Sequence, residues 1–469
     1  MRIPSAKIKN ILLPNTGGIW LGIGAILFFG AGLALRIWWI QNMPTKQMYD
    51  FATYQILAEN IAKGLGHTLE GVPVAWQGSG YSYALGLWYG FMGNTTEATG
   101  KALNILLSGG TMILCWFIYG KLFPKPLYHL TAFGIMAFLP SLIAYCNVLG
   151  TETFFLFLLA CLLTVQLYMS TVGLWRWVKY ILLGLLCGLC TLTKPFMLAY
   201  PFILALTDWV AYKRIRQSLM LLGIGFLAAA ITIAPWAIRN YRLFGRLIPV
   251  SYNSGYVLFI NNNDTNTTGS WMDLSMVDTT EDIKARINYI LQDGQRSVKT
   301  AHDLEPLLKE EATGWIKRNP MEFLKLGFLR LTSTFFAGAN DIPQWAMNGF
   351  TQEYTGWADM QYQRNTHVLF TFFDMTVYLL SGAGVLFLLA RLKRFVMACF
   401  TLKHRINMAH GFIFINIAFF AAVDFVYEGQ ARYIFPVLPF MICAATAILE
   451  GLNLSAERGE EADDSHESE

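Results

Sequence analysis

Long apolar runs dominate this chain, and they constrain its fold more than any other feature. A bilayer core about 30 Å thick is crossed by about 20 apolar residues in a helix. That length selects about ten runs, at approximate positions 18–41, 99–119, 128–149, 153–170, 178–193, 196–212, 218–236, 367–390, 409–426 and 433–450. With 55% hydrophobic and 14% charged residues, the composition excludes an ordinary soluble protein. The sequence therefore predicts an all-α, polytopic transmembrane bundle.

Lysine and arginine residues are sorted onto alternate connections between these runs. The basic groups are Arg2, Lys7 and Lys9; Lys121 and Lys125; Arg176 and Lys179; Lys213, Arg214 and Arg216; and Arg391, Lys393, Arg394, Lys403 and Arg405. Short cytoplasmic loops carry the excess of such residues. We therefore expect both termini to be cytoplasmic and the other connections to lie on the outer face, and we see no patch typical of nucleic-acid binding.

This topology divides the chain into four regions. Residues 1–236 form a transmembrane module whose first outer loop covers 42–98, residues 237–366 a long outer loop, residues 367–452 the last spans, and residues 453–469 an acidic, disordered cytoplasmic tail. The first run lacks a small-residue cleavage site, so we expect a retained anchor.

Several shorter segments are expected to lie on the outer surface. Apolar residues recur at helical spacing over 50–63, and the apolar stretch 79–93 is too short to span a bilayer, so both are interpreted as interfacial helices. The stripe 321–336 has the same interpretation. Its alternative, an eleventh span, would place the C-terminus outside.

Familiar soluble-enzyme motifs are missing from the sequence. The histidines show no metal-ligand spacing, and neither a phosphate-binding G-x-x-x-x-G-K-[ST] loop nor a G-x-S-x-G elbow occurs. Six of the seven cysteines lie in or beside apolar runs, the Cys187-x-x-Cys190 pair among them, which favours buried apolar roles over disulfides or metal binding.

Two acids at outer helix ends are candidate catalytic groups, because ionisable residues beside a membrane are costly. Asp50 opens the first amphipathic helix, where it serves either as a helix cap or as a general base for a hydroxyl nucleophile. Glu152 begins a span and either caps that helix, orients an acceptor, or shares a divalent cation with Asp50.

Cations at the same face are candidate phosphate ligands. Lys194, Arg239 and Arg432, the last with Tyr433 beside it, could each hold an anionic group, and the alternative for each is an interfacial anchor. Arg36 lies about one turn inside the first span and needs a buried partner, for which we expect an outer-face carboxylate.

Four stretches together resemble the GT-C superfamily of polytopic glycosyltransferases, in its bacterial branch similar to protein O-mannosyltransferases and the lipid A aminoarabinose transferase. They are DFATY with LAENIAKGLG, YCNVLGTETFFLFLL, GLLCGLCTLTKPFMLAYP with APWAIRNYRLFG, and ARYIFPVLPF. The resemblance implies a GT-C fold and inverting transfer of a sugar from polyprenyl phosphate. By the resemblance, Asp50 matches the first-loop catalytic acid, Glu152 the second outer-loop acid, and Lys194, Arg239 and Arg432 the donor-phosphate and outer-face positions. We further predict that Glu152 is catalytic, that Tyr433 lies at the donor phosphate, and that Tyr54, Glu428 and Arg36 have supporting roles.

The sequence departs from that pattern in two places. Many relatives carry a second acid where this chain has Phe51, and many have Pro-Pro-Gly-Tyr-Pro where residues 77–82 read QGSGYS. These departures leave the acceptor and the use of a divalent cation open, and no other cofactor is expected.

The sequence thus predicts an integral-membrane glycosyltransferase of the bacterial inner membrane, with its site facing the periplasm. Its expected partners are a polyprenyl-phosphate-linked sugar donor, an envelope acceptor (lipid, glycan or protein) and the bilayer. The alternatives are an oligosaccharide ligase or polymerase of the same superfamily, and a lipid-linked sugar flippase or transporter, for which inverted repeats or broken helices are expected.

Overall fold

The computed structural model describes residues 16–291, 301–349 and 357–466, and in those ranges the chain is almost entirely helical. The helices are α1 (Thr16–Asn42), α2 (Asp50–Ala62), α3 (Gly80–Met92), α4 (Glu97–Leu122), α5 (Pro126–Phe138), α6 (Pro140–Ala144), α7 (Thr151–Tyr168), α8 (Gly173–Thr193), α9 (Tyr200–Tyr212), α10 (Ile215–Phe244), α11 (Ser254–Asn261), α12 (Glu281–Leu291), α13 (Ala301–Arg318), α14 (Pro320–Phe335), α15 (Trp357–Phe400), α16 (Met408–Val426) and α17 (Leu438–His466). Strands β1 (Thr68–Leu69) and β2 (Val72–Pro73) form an antiparallel hairpin between α2 and α3.

Eight helices in the described ranges are long and apolar enough to cross a membrane, and the bent pair of α5 with the segment Pro140–Asn147 makes a ninth. The apolar part of α17, Leu438–Leu452, is shorter than these. Together they account for all ten predicted runs, so the predicted polytopic all-α bundle is confirmed. The last helix starts at Leu438 rather than at 433, because residues Ala431–Ile434 form a separate 3₁₀ turn.

Close packing of α8 on α10 sets the position of the segment that follows α8. Gly184 and Gly188 lie one turn apart on α8, and a Cβ added at either would come within 2.6 Å of α10 atoms, including the side chains of Ala228 and Thr232. Small residues spaced in this way let two membrane helices approach closely. The end of α8, and with it Lys194, is therefore fixed against the bundle.

The bend between α5 and α6 explains the surroundings of Arg36. Pro140 interrupts the predicted run 128–149, and the two pieces meet at 49°. Arg36 is fully buried, donates from Nη1 to the carbonyls of Ala137 and Gly32 (2.8 Å each), and donates from Nε to Ser108 Oγ (2.7 Å). The prediction that Arg36 pairs with a carboxylate is wrong, because the backbone carbonyl of Ala137, next to the helix break, accepts its hydrogen bond instead.

Helices α2 and α3 form as predicted and pack on each other through Tyr54, Ala58, Tyr81 and Leu85. The long segment between α10 and α15 adds a second small core, in which α11, α12 and α13 pack together.

Two further predictions concern α14 and the C-terminal tail. Helix α14 is not among the helices long and apolar enough to span a membrane, which favours the surface interpretation over an eleventh span. Helix α17 runs on to His466, and the predicted disorder of 453–469 stays a prediction.

Candidate active site

An open cleft with a volume of about 140 Å³ collects residues from six separate parts of the chain. It is lined by Asp50, Phe51, Tyr54, Gln77, Gly78, Thr151, Glu152, Thr193, Lys194, Pro195, Ser251, Asn253, Arg432 and Tyr433. Asp50, Glu152, Lys194 and Arg432, which sequence reasoning placed on one face, therefore meet in one cavity.

Asp50 is the first residue of α2, and its carboxylate points away from its own helix. The cap position belongs to Tyr49, and no side chain caps the helix. Asp50 Oδ1 accepts a hydrogen bond from Gln77 Nε2 at 2.8 Å, and Oδ2 lies 3.3 Å from Arg432 Nη2. With 46% of its side chain exposed, Asp50 is held on two sides and open on the rest. The interpretation of Asp50 as a cap is wrong.

Arg432 is surrounded by aromatic rings. Its guanidinium carbon lies 5.6 Å from the ring centre of Phe51, 6.0 Å from Trp345 and 5.3 Å from Tyr433. Such contacts hold a cation without using its N–H groups, and Nε has no hydrogen-bond partner in the part of the chain that the structure describes. Arg432 therefore keeps donor capacity for an anionic ligand.

Glu152 and Lys194 form an ion pair beside this first pair. Lys194 Nζ lies 3.3 Å from Glu152 Oε1, and the Glu152 side chain is 4% exposed. The same Nζ lies 5.8 Å from the ring centre of Tyr433, the ring that Arg432 also contacts. The cations of the two ion pairs thus both contact the ring of Tyr433. Glu152 is not a side-chain cap either, since Gly150 occupies the cap position of α7.

Glu428 and Tyr54 are buried residues next to these ion pairs. Tyr433 donates its hydroxyl to Glu428 Oε2 at 3.1 Å, and the Gln430 amide donates to Oε1. Burial raises the pKa of Glu428. Tyr54 lies one turn after Asp50 and packs edge to face on Tyr81, with ring centres 5.7 Å apart. Burial raises the pKa of Tyr54 well above its usual range, so its hydroxyl stays protonated.

Arg239 is not placed in the cleft. Its guanidinium donates to the backbone carbonyls of Val74 (3.1 Å) and His67 (3.0 Å) and lies 4.3 Å from the ring centre of Trp236. These contacts join α10 to the β1–β2 hairpin. Because its donors already serve backbone carbonyls, Arg239 does not meet the geometry expected of a phosphate ligand here.

The carboxylates of Asp50 and Glu152 do not fit a divalent-cation site. In the described ranges, no three His, Cys, Asp or Glu side chains are grouped so that they could hold a metal ion. Each acid instead faces a cationic nitrogen, Arg432 for Asp50 and Lys194 for Glu152.

Sequence reasoning missed Gln77 and Trp345 as site residues. Gln77 entered the sequence argument only as the first residue of the run QGSGYS, which differs from the pattern of the resembling family. Trp345 lies in a π-helical turn that spans Ile342–Ala346. A polar side chain in an otherwise small and aromatic run is the one signal that pointed to Gln77.

Solved oligosaccharyltransferases from Archaeoglobus fulgidus share this architecture. The archaeal oligosaccharyltransferase AglB in complex with an inhibitory peptide and a dolichol-phosphate aligns with 95% of the chain, with TM-score 0.50 and 11% identity. An oligosaccharyltransferase tethered to an acceptor peptide containing the NVT sequon aligns with 93%, with TM-score 0.50 and 14% identity. The apo form aligns with 94%, with TM-score 0.53 and 12% identity.

The chain covers 52%, 50% and 52% of those three structures, and so spans about half their length. No protein-family model and no curated protein sequence matches it. At these identities the likeness shows the fold alone, and it confirms the predicted GT-C fold.

Proposed function

We propose that this protein is a membrane glycosyltransferase that moves a single sugar from a polyprenyl-phosphate donor to a hydroxyl of an envelope acceptor, with inversion. The observation that carries the proposal is the open Asp50 carboxylate, held by Gln77 and Arg432 in a cleft that also contains Lys194. A fixed carboxylate beside two cations suits a reaction that removes a proton from one reactant and expels a phosphate from the other.

The proposed reaction is one displacement at the sugar's anomeric carbon. Asp50 takes the proton of the acceptor hydroxyl as that oxygen bonds to the anomeric carbon. The bond from this carbon to the phosphate oxygen breaks, and polyprenyl phosphate leaves with the electron pair. Arg432 and Lys194 neutralise the charge that develops on it. Glu152 keeps Lys194 in place from its buried position.

The membrane setting follows from the same residues. The alternating lysine and arginine groups support an outer-face cleft, and hence a site facing the periplasm of a bacterial inner membrane. The donor's apolar tail would lie between spans beside α2 and α3. A neighbour bound to dolichol-phosphate and one tethered to an acceptor peptide support a lipid-linked donor and an envelope acceptor.

Transfer of a whole oligosaccharide is the second candidate, because the three neighbours are oligosaccharyltransferases. The flippase alternative has less support, because the broken helix that such a function would use contributes no residue to the cleft.

A transfer assay with purified protein in lipid nanodiscs tests the proposal. The probes are tritium-labelled polyprenyl-phosphate monosaccharides and, for the second candidate, a polyprenyl-linked oligosaccharide, each with an envelope extract as acceptor. General-base catalysis contributes about 100-fold or more, so Asp50→Asn should lower transfer by at least that factor.

The matched control is Glu59→Gln, which removes a carboxylate from the same helix. Glu59 pairs with Lys63 at 3.6 Å and does not line the cleft. Its loss should change transfer less than about twofold, as expected for an exposed pair. Parental transfer by the Asp50→Asn protein would refute the assignment.

A further inference from the structure

Gln77 is a buried amide whose one hydrogen bond in the described structure goes to Asp50. The residue is 5% exposed, and Nε2 lies 2.8 Å from Asp50 Oδ1. An ionised carboxylate only accepts hydrogen bonds, so the NH₂ group of the amide has to face it. The amide oxygen has no partner in the part of the chain that the structure describes. The orientation of Gln77 therefore follows from its contact with Asp50.

The loop that carries Gln77 is held from three directions. A Cβ on Gly78 would lie 2.5 Å from the carbonyl oxygen of Leu192 and 2.8 Å from that of Thr193, so only glycine fits against the end of α8. On the other side, the carbonyl of Ala75 accepts from the Tyr252 amide at 3.0 Å.

Arg239 supplies the third tie, to the carbonyl of Val74 at 3.1 Å. Gln77 is thus presented to Asp50 by a backbone that α8, α10 and the outer segment fix independently of Asp50.

Few groups compete for the Asp50 carboxylate. Arg432 lies 3.3 Å from Oδ2 and is the one cation in contact with it among the described residues. Gln77 and Arg432 are therefore the two side chains that donate hydrogen bonds to it.

We propose that Gln77 is a positioning residue, which orients the Asp50 carboxylate toward the acceptor hydroxyl. The proposal rests on the proposed function. Arg432 is the ligand that a donor phosphate would attract away from Asp50, whereas a neutral amide has no such competitor. Gln77 then remains the contact that holds Asp50 while the sugar is transferred. The run QGSGYS thus supplies a partner for the catalytic acid.

The test compares Gln77→Met, which has similar length but no hydrogen-bonding group, with Gln77→Glu, which keeps the shape and adds a negative charge. Gln77→Met should lower kcat about tenfold and leave the donor KM within about twofold, because the loss is felt in the transition state. Gln77→Glu should lower kcat at least as much, because its carboxylate cannot donate a hydrogen bond to Asp50.

Gln55→Met is the matched control, since Gln55 bonds to Glu59 at 3.4 Å and does not line the cleft. It should keep the parental kcat. A rise in donor KM with unchanged kcat in Gln77→Met would overturn the proposal, because Gln77 would then hold substrate. A parental kcat in both Gln77 variants would overturn it too. If the parent protein itself transfers no sugar from any lipid probe, the proposed glycosyltransferase function is refuted. That result differs from the outcomes above, which refute only the role of Gln77.

Discussion

Tyr49 has a backbone φ of 50°, a left-handed conformation that is uncommon for an aromatic residue. Its ring packs edge to face on Trp345, with ring centres 6.0 Å apart, and the next residue is Asp50. Strain of this kind persists where surrounding contacts enforce it, and it concentrates at functional sites. Here it turns the start of α2 so that the Asp50 carboxylate meets Gln77 and Arg432 instead of its own helix amides.

Asp341 is a buried acid close to the cleft, and it should make stability depend on pH. Burial raises the pKa of Asp341 to about 6, with the charge of Glu152 adding to the effect. The folded-state pKa thus lies above the unfolded value of about 3.9. Its stabilising contribution is therefore complete below about pH 4 and is lost as the pH rises through about 6.

Asp341→Asn keeps the neutral form at every pH. It should be more stable than the parent at pH 8 by up to roughly 3 kcal/mol, with the difference vanishing near pH 4. Thermal unfolding in detergent between pH 4 and 8 measures this, with exposed Glu310→Gln as the control that should follow the parent. Parallel curves for the parent and Asp341→Asn would show that Asp341 ionises normally in the fold.

Among the elements, α14 anchors the segment that carries Arg432. Arg330 on α14 is fully buried and donates to the carbonyls of Phe425 (2.8 Å) and Val426 (3.3 Å) at the end of α16. It also donates to Asn262 Oδ1 at 2.8 Å. Burial lowers the pKa of Arg330 to about 10, which leaves it charged at neutral pH. The chain from Val426 to Arg432 therefore starts from a fixed point.

Removing that anchor should be costly. Arg330→Met leaves several buried acceptors without a donor, and should destabilise the protein by roughly 2–4 kcal/mol. Lys325→Met removes an exposed cation from the same helix, one paired with Glu322 at 3.3 Å, and should cost less than about 1 kcal/mol. Thermal unfolding in detergent compares the two, and equal losses would mean that the Arg330 hydrogen bonds add little.

Hydropathy was sufficient to predict the helices, because a bilayer demands one length and one composition from each span. It failed at the middle of the run 128–149, where Pro140 breaks the helix. For the same reason the partner of Arg36 was not predicted, because a hydropathy pattern does not show that the carbonyl of Ala137 is free to accept a hydrogen bond at the bend. The short apolar part of α17 was placed five residues early for a similar reason, the local turn at Ala431–Ile434.

Charged site residues at the ends of apolar helices could be predicted from the sequence, whereas site residues whose positions depend on loops could not. Asp50, Glu152, Lys194 and Arg432 were predicted because ionisable residues beside apolar runs are rare. Gln77 was not predicted as a site residue and lines the cleft, whereas Arg239 was predicted as one and does not. Both outcomes depend on how the β1–β2 hairpin packs against α10. Tertiary contacts of this kind leave no periodic signal in the sequence.

At the scale of the whole molecule, the cleft holds two carboxylates and two cations already paired with each other, and a phosphate would add negative charge to this balanced set. We expect the donor phosphate to compete with Asp50 for Arg432, which frees the carboxylate to receive a proton. Donor binding would then precede activation of the acceptor. This order separates the residues that bind the donor from the residue that reacts.

Single-turnover transfer from a pre-bound donor tests the central claim most directly. A tritium-labelled polyprenyl-phosphate sugar that the parent transfers is first bound to the Asp50→Asn protein, and acceptor is then added. We predict that the variant binds the donor within about threefold of the parental affinity, yet transfers at least about 100-fold more slowly. Transfer at the parental rate from that bound donor would contradict the account, because Asp50 would then not be the base.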